Sequence, residues 1–309
     1  MTGAPEAGSW AGPWTPTQYA RNGGVEIAYD RLAGSEGEPL LLVMGLAVSR
    51  FWWPAGLAGA FAGQGFAVAR YDQRDAGEST RMPDTGGSNP FAALARKRGA
   101  YSSEDMTDDA VAVLDAMGWD SAHLFGHSMG GQVAQRVALR HPGRVRSLTS
   151  SASLPSDVGG LGAARYVRMG LVARLARLKF PAGREGDIAL ALAATRAIGS
   201  AAYPPDEDQV RQLAERDEVS GMRDAAAQSR QAGAKWHGGR LSQLRLPTLV
   251  MHGSDDPLLR PAAARQTAKA IRGARLVLLP GVGHYLPAAV YPRIADEVRA
   301  LADRQLARA

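Results

Sequence analysis

Ala122-His123-Leu124-Phe125 is a short apolar run that leads directly into Gly126-His127-Ser128-Met129-Gly130-Gly131. From Gln132 to Arg140, small, apolar and polar residues recur at helical spacing. A buried parallel strand, a glycine-lined turn and an amphipathic helix therefore follow one another with nothing between them. Glycines at both second neighbours of Ser128 permit a turn so sharp that only small residues fit around it. Such a turn lifts the serine hydroxyl clear of a sheet. It also aims the backbone N–H of Met129, at the start of the helix, toward the place where an oxyanion would form. The helix is expected to stop near His141-Pro142-Gly143, where proline and glycine forbid continuation. This setting favours Ser128 as a nucleophile toward carbonyl carbon over an ordinary loop serine.

Strand-like runs alternate with helical patterns through most of the chain, which predicts the α/β class, with a mostly parallel central sheet flanked by helices. Val25 to Tyr29 and Leu40 to Met44 read as early strands, the first antiparallel at the edge. Phe66 to Arg70, His123 to Phe125, Val145 to Ser150, Thr248 to Met251 and Leu276 to Leu279 read as inner strands. A last helix is expected from about Tyr291, where Pro292 suits a first turn. Between Ser151 and about Leu246 the alternation breaks into a helical pattern punctuated by Pro181, Pro204 and Pro205. The expected organisation is a flexible tail over 1–16, a core made of 17–151 and 247–309, and a helical lid insertion over 152–246. Met169, Leu171, Val172, Leu175, Leu178 and Phe180 give the insertion an apolar side, which would roof a pocket over the carboxyl ends of the strands or fix the insertion to the body.

Composition narrows the function classes. A chain of 309 residues with 45% hydrophobic content can bury a large core as one unit with an insertion. Cysteine is absent, which removes disulfides, thiolate nucleophiles and cysteine-ligated metals. The first sixteen residues lack the basic start and apolar stretch of a secretory signal, and no later run is long enough to span a bilayer, so a soluble cytoplasmic protein without a membrane partner is expected. The formal net charge is +6, but 30 acidic residues are interleaved with 36 basic ones and no nucleic-acid module is recognisable. A small molecule, not nucleic acid, is the expected partner. Only Arg165, Arg168, Arg174, Arg177, Lys179 and Arg184 form a basic stretch without acids, and it reads as a solvated helix face. Nothing in the sequence sets an oligomeric state.

A serine at its free pKa is a poor nucleophile, so a histidine must take its proton and a carboxylate must orient that histidine. Six histidines compete. His127 adjoins the nucleophile on the turn and is expected to point away from the hydroxyl and pack around the elbow. His123 starts a strand, His141 ends a helix and His237 lies at the far end of the insertion. His252 closes a strand before Gly253 and is the main rival. His284 is favoured, because Leu279-Pro280-Gly281-Val282-Gly283-His284 is a strand followed by a glycine-rich loop that can swing an imidazole over the sheet end. Leu249 to Pro257 supplies the acid. Asp256 precedes proline and is pushed to an extended geometry that suits an inward-aimed carboxylate, whereas Asp255 is expected to cap the turn. Val43-Met44-Gly45-Leu46-Ala47 is placed to supply the second oxyanion donor, the N–H of Leu46. Phe51, Trp52 and Trp53 follow and, with Met169 and Val172, are candidate pocket residues; core packing is the alternative for the aromatic ones.

Together these segments resemble the α/β-hydrolase fold superfamily, and within it the aclacinomycin methylesterase-like small-molecule esterases. The resemblance is carried by Met44-Gly45-Leu46, Arg70 to Ser79, Gly126 to Gly131, Gly253 to Pro257 and Gly283-His284. It implies the chain order nucleophile, acid, histidine, here Ser128, Asp256 and His284. It also implies a structural role for Asp72, Arg74 and Ser79 beside the oxyanion loop, the alternative for Arg74 being an anionic substrate. The His-Gly usual before that loop is Met44-Gly45 here, which removes one polar anchor. The implied activity is a serine hydrolase that cleaves a carboxylic ester of a mostly apolar small molecule, with neither cofactor nor metal. Relatives with dehalogenase or epoxide hydrolase activity carry aspartate in place of Ser128. Carbon-carbon bond hydrolysis, thioester or lactone cleavage and cofactor-free perhydrolysis would use the same triad, and a non-hydrolytic binding protein is the reading from a different class.

Overall fold

The computed structural model describes residues 14–83, 100–159, 161–217 and 221–306. In chain order the strands and helices are β1 (Gln18–Asn22), β2 (Val25–Arg31), β3 (Glu38–Val43), α1 (Ala55–Gly63), β4 (Phe66–Tyr71), α2 (Ser103–Ala116), β5 (Ala122–His127), α3 (Met129–Arg140) and β6 (Val145–Ser151). Five helices follow: α4 (Leu161–Ala164), α5 (Met169–Leu175), α6 (Arg184–Ile198), α7 (Glu207–Arg216) and α8 (Ala225–Gly233). The chain then returns through β7 (Thr248–Gly253), α9 (Ala262–Ala270), β8 (Arg275–Leu279) and α10 (Tyr291–Leu306). The eight strands form one sheet in the order β1-β2-β4-β3-β5-β6-β7-β8, parallel from β4 to β8.

The pleat explains why the inner strands read as unbroken apolar runs. Leu40, Leu41, Leu42 and Val43 are all inaccessible to solvent. Leu40 and Leu42 pack with Phe61 of α1 and Ile294 of α10, while Leu41 and Val43 pack with Met106 of α2 and Val133 of α3. Alternate side chains point to opposite faces, and both faces carry helices, so no position of the strand is left to water. Each fully buried side chain of this kind contributes about 1.5–3 kcal/mol. Helix α2 begins where Ser102 accepts the N–H of Asp105 and Asp105 accepts that of Ser102, a reciprocal cap.

Two expectations about the amino-terminal side are corrected. The edge strand is β1, not the Val25 strand, which lies between β1 and β4 and is antiparallel to both. In β1 only Ala20 is buried, so the strand shows no apolar alternation; its signal is the two-glycine turn Gly23-Gly24 closing Asn22 onto Val25. Residues 14–16 do not all belong with a free tail. Trp14 bridges Leu32, Thr15 donates its N–H to the Arg31 carbonyl at 2.9 Å, and the Arg70 guanidinium lies 3.6 Å over the Trp14 ring.

Strands β6 and β7 are parallel neighbours, so everything from 152 to 247 is the crossover between them. Its helices are tied to the core at its carboxyl edge. Val167 bridges Leu259, Arg168 donates to the Leu258 carbonyl at 2.9 Å, and the Trp52 indole donates to Asp217 at 2.8 Å. No helix among the described residues is long and apolar enough to cross a membrane.

Candidate active site

Strand β5 ends at His127, and the chain reverses into α3 through Ser128, whose φ of 56° and ψ of −126° lie in a region that side-chain-bearing residues rarely occupy. Holding it there costs about 1–3 kcal/mol and needs support from its surroundings. Support comes from Ser128 N–H donating to Ser151 of β6 at 2.9 Å and from Gly131 N–H donating back to the Ser128 carbonyl at 3.0 Å. A Cβ at Gly126 would collide with the Gly130 carbonyl, and one at Gly130 with the Val43 carbonyl. The glycines flanking the serine are there because helix and strand backbones pass too close for any side chain.

The loops after β7 and β8 bring Asp256 and His284 to the same spot. Ser128 Oγ lies 3.0 Å from His284 Nε2, and His284 Nδ1 lies 2.8 Å from Asp256 Oδ2. Asp256 is 1% exposed and His284 4%, so water scarcely competes for these bonds. The other oxygen of Asp256 accepts the N–H groups of Leu258 and Leu259 at 2.7 and 2.8 Å, which fixes the carboxylate plane. Burial alone would favour the neutral acid, but the charge of His284 and hydrogen bonds from His252 and His284 hold Asp256 well below the usual carboxylate range. An ionised Asp256 can only accept, so His284 Nδ1 carries the proton and donates it as a hydrogen bond, which leaves Nε2 free to accept from the serine hydroxyl. Asp255 is exposed and accepts the Ser254 hydroxyl at 2.8 Å, within the turn.

Opposite the serine runs the loop after β3. The position a Cβ would take on Gly45 is 3.1 Å from Ser128 Cβ and 3.6 Å from its Oγ, so this loop lies against the hydroxyl. Neither Leu46 N–H nor Met129 N–H has a backbone acceptor among the described residues. Gln73 donates to the Met44 carbonyl at 2.6 Å and supplies an anchor from a direction the sequence did not suggest.

The model of the alpha/beta hydrolase fold family matches residues 38–287, which run from β3 through the His284 loop. The chain belongs to that family. Similar curated relatives are two rhodomycin D methylesterases, DauP from Streptomyces sp. (strain C5) and DnrP from Streptomyces peucetius. Each is 28% identical over 92% of this chain and 97% of its own length. Among solved structures, the meta-cleavage product hydrolase CumD from Pseudomonas fluorescens IP01 superposes with a TM-score of 0.66 at 19% identity, covering 93% of this chain and 97% of that one. That likeness is one of fold.

In this α/β hydrolase the other histidines have settled partners. His123 sits between Ser147 and Glu38 near the amino ends of the strands, at 2.8 and 2.9 Å. His141 pairs with Asp108 at 2.8 Å, and His237 lies 3.5 Å from Glu104. His252 is not beside the serine but behind the acid: its Nε2 is 3.1 Å from the Leu259 carbonyl and 3.3 Å from Asp256 Oδ2. His127 packs at the elbow. Its ring packs against the ring of His284, centroids 5.1 Å apart, and its Nδ1 is 3.2 Å from Ser151 Oγ. Burial, then the neighbouring His284, pushes its pKa down to about 3, so it stays neutral beside that ring.

The aromatic expectations need correcting. Trp53 is 2% exposed and packs edge-on against Phe125 inside the core layer under α1 and α10. Phe51 stacks under Arg50 and Arg70 and lines a separate cleft of about 510 Å³ with Trp14 and Gln209. Three consecutive aromatics on a 3-10 turn point in three directions, so adjacency in sequence did not make them one wall. Trp52 reaches the insertion through Asp217, Met169 is 48% exposed, and Val172 is half-buried on the same helix. Sequence reasoning also missed Arg50. It is wholly buried, paired with Asp30 at 2.9 Å and with Asp72, and it directly follows the loop that carries Gly45 and Leu46. Asp72 accepts the N–H of Glu78, Ser79 donates to the Asp72 carbonyl at 2.7 Å, and Arg74 is taken up by Asp109 at 2.6 Å. These contacts brace the loop and leave the Arg74 guanidinium without room for an anionic substrate.

Proposed function

We propose that this α/β hydrolase is a serine esterase that cleaves a carboxylic ester of a mostly apolar small molecule through Ser128, His284 and Asp256. The observation that carries the reading is the unbroken hydrogen-bonded line from the Ser128 hydroxyl through the His284 imidazole to a buried, ionised Asp256. Ser128 Oγ attacks the ester carbonyl as its proton passes to His284 Nε2, and Asp256 stabilises the imidazolium that forms. The carbonyl oxygen takes up the electron pair and is held by the N–H groups of Leu46 and Met129, with the amino end of α3 adding its dipole. Collapse of this intermediate breaks the bond to the alcohol oxygen, which leaves with the proton from His284. Water then repeats the sequence on the acyl-enzyme and frees Ser128. Helices α4–α8 act as a lid over the site. The two rhodomycin D methylesterases, alike over nearly the whole chain, favour a methyl ester as the substrate class.

Ser128→Ala is expected to lower turnover of p-nitrophenyl and methyl esters by about 10⁴-fold or more, as loss of a triad nucleophile does. It should also abolish labelling by a fluorophosphonate probe while the circular dichroism spectrum stays unchanged. Full esterase activity in that variant would refute the assignment.

A further inference from the structure

Gln231 lies in α8, the last helix of the insertion, and is 3% exposed, yet among the described residues its side chain bonds only outside the insertion. Its Oε1 accepts the N–H of Ala47 at 3.3 Å, and its Nε2 donates to the Arg74 carbonyl at 2.8 Å. The orientation of the amide is set by its partners, since an N–H must face the oxygen and a carbonyl the nitrogen. Ala47 is the residue after Leu46, and its φ is 69°, in the left-handed region that a residue with a Cβ enters at a cost of about 1 kcal/mol. The loop therefore leaves its Gly45-Leu46 stretch through a strained residue whose N–H finds its acceptor on another part of the molecule. Next to Gln231, Arg230 is bonded through Nε and Nη2 to the two oxygens of Asp75, at 2.9 and 2.8 Å, so the last turn of α8 is clamped to the 74–75 loop on which Gln231 also rests.

We propose that Gln231 is a positioning residue: from the insertion it holds the Ala47 peptide in place, so that the preceding Leu46 N–H faces the oxygen of the tetrahedral intermediate. The proposal rests on the serine esterase reading, in which Leu46 supplies one of two oxyanion donors. Losing an oxyanion donor outright lowers kcat by about 10²–10³-fold. A donor that is only misplaced should lose less, about 10-fold. The effect falls on kcat and not on KM, because the ester carbonyl of the bound substrate needs that N–H far less than the oxyanion does.

The test compares the full-length wild type with Gln231→Met, which keeps the shape and removes both bonds, and Gln231→Glu, which keeps an acceptor for Ala47. Ser128→Ala serves as the control for the underlying reading. The expected result is a fall in kcat of about 10-fold for Gln231→Met with KM within about twofold, and a smaller fall for Gln231→Glu. Affinity for a trifluoromethyl ketone should drop in step with kcat, and amide exchange at Ala47 should quicken in Gln231→Met. Wild-type kcat in Gln231→Met, or an equal loss in both variants without faster exchange at Ala47, would overturn the proposal while ester turnover lost in Ser128→Ala leaves the esterase reading standing. A wild type that neither hydrolyses esters nor takes up a fluorophosphonate would remove the reading and the proposal together. Should Gln231→Met fold poorly, Gln231→Glu and its exchange rate at Ala47 decide the matter alone.

Discussion

Asp256 is the most heavily engaged side chain of the site. Two backbone N–H groups fix one oxygen, and His284 and His252 approach the other at 2.8 and 3.3 Å. Replacing it by asparagine keeps the shape but offers His284 an amide in place of a charge, so the wrong tautomer of the imidazole is favoured. Asp256→Asn is expected to lower kcat by about 10⁴-fold with little change in KM, measured by steady-state kinetics on a soluble ester. His127 makes a prediction about stability instead. Its pKa is pushed down to about 3 in the folded chain against an ordinary value of 6.5. Between those limits the unfolded chain binds a proton that the folded one refuses, so stability falls as pH drops from about 6.5 toward 3, by at most about 1.4 kcal/mol per pH unit from this residue. Urea unfolding of His127→Asn between pH 7 and 4 should show a shallower fall than wild type. Some slope will remain, because burial lowers the pKa of His123 too and acts in the same direction. Asp256, with its pKa depressed, contributes at every pH above the ordinary carboxylate value and loses that contribution only in stronger acid.

At the scale of elements, what the sequence disclosed depended on how local the signal was. The β5-turn-α3 unit was legible because strand, tight turn and helix are contiguous and each demands its own residue types. The same holds for the loops that carry Asp256 and His284, where Pro257 and a run of glycines mark the bends. The β1 edge was illegible to hydrophobic alternation because four of its five residues face water or the rim. The wall expected from Phe51, Trp52 and Trp53 failed for a different reason. Which way each ring points is set by Arg70, by Asp217 and by Phe125, none of them local to the turn. The Trp52–Asp217 bond joins the end of α7 to that turn, and a hydrogen bond to a buried carboxylate contributes about 1.5–3 kcal/mol. Trp52→Phe should therefore loosen this junction, seen as faster hydrogen exchange in α7 than in α3. Unchanged exchange in α7 would show that other contacts hold the insertion down.

At the scale of the whole molecule, a buried ionic group gathers around Arg50. Burial pulls its pKa down, but Asp72, Glu78 and Asp30 overcome this and hold the guanidinium above its ordinary range, while Arg70 shares Asp30 at 2.6 Å. Its partners come from β2, from the end of β4 and from the loop beyond, so no spacing in the sequence announces it. Arg50→Met would strand Asp30 and Asp72 with too few donors and is expected to destabilise the protein by about 3–5 kcal/mol, read from chemical unfolding. That is a large share of the about 5–15 kcal/mol typical of a folded chain. The crossover between β6 and β7 has a broader consequence. Parallel strands require only that the connection be long enough, so this segment can be exchanged wholesale, like a cassette, without shifting strand register. Any replacement must nevertheless return three backbone services to its host: a partner strand for residues 258–260, a carbonyl like that of Ile198 for the His284 N–H at 2.8 Å, and an acceptor for Ala47. Grafted covers that merely fit the rim would leave a hydrolase with all its reacting groups and no means of keeping them in step.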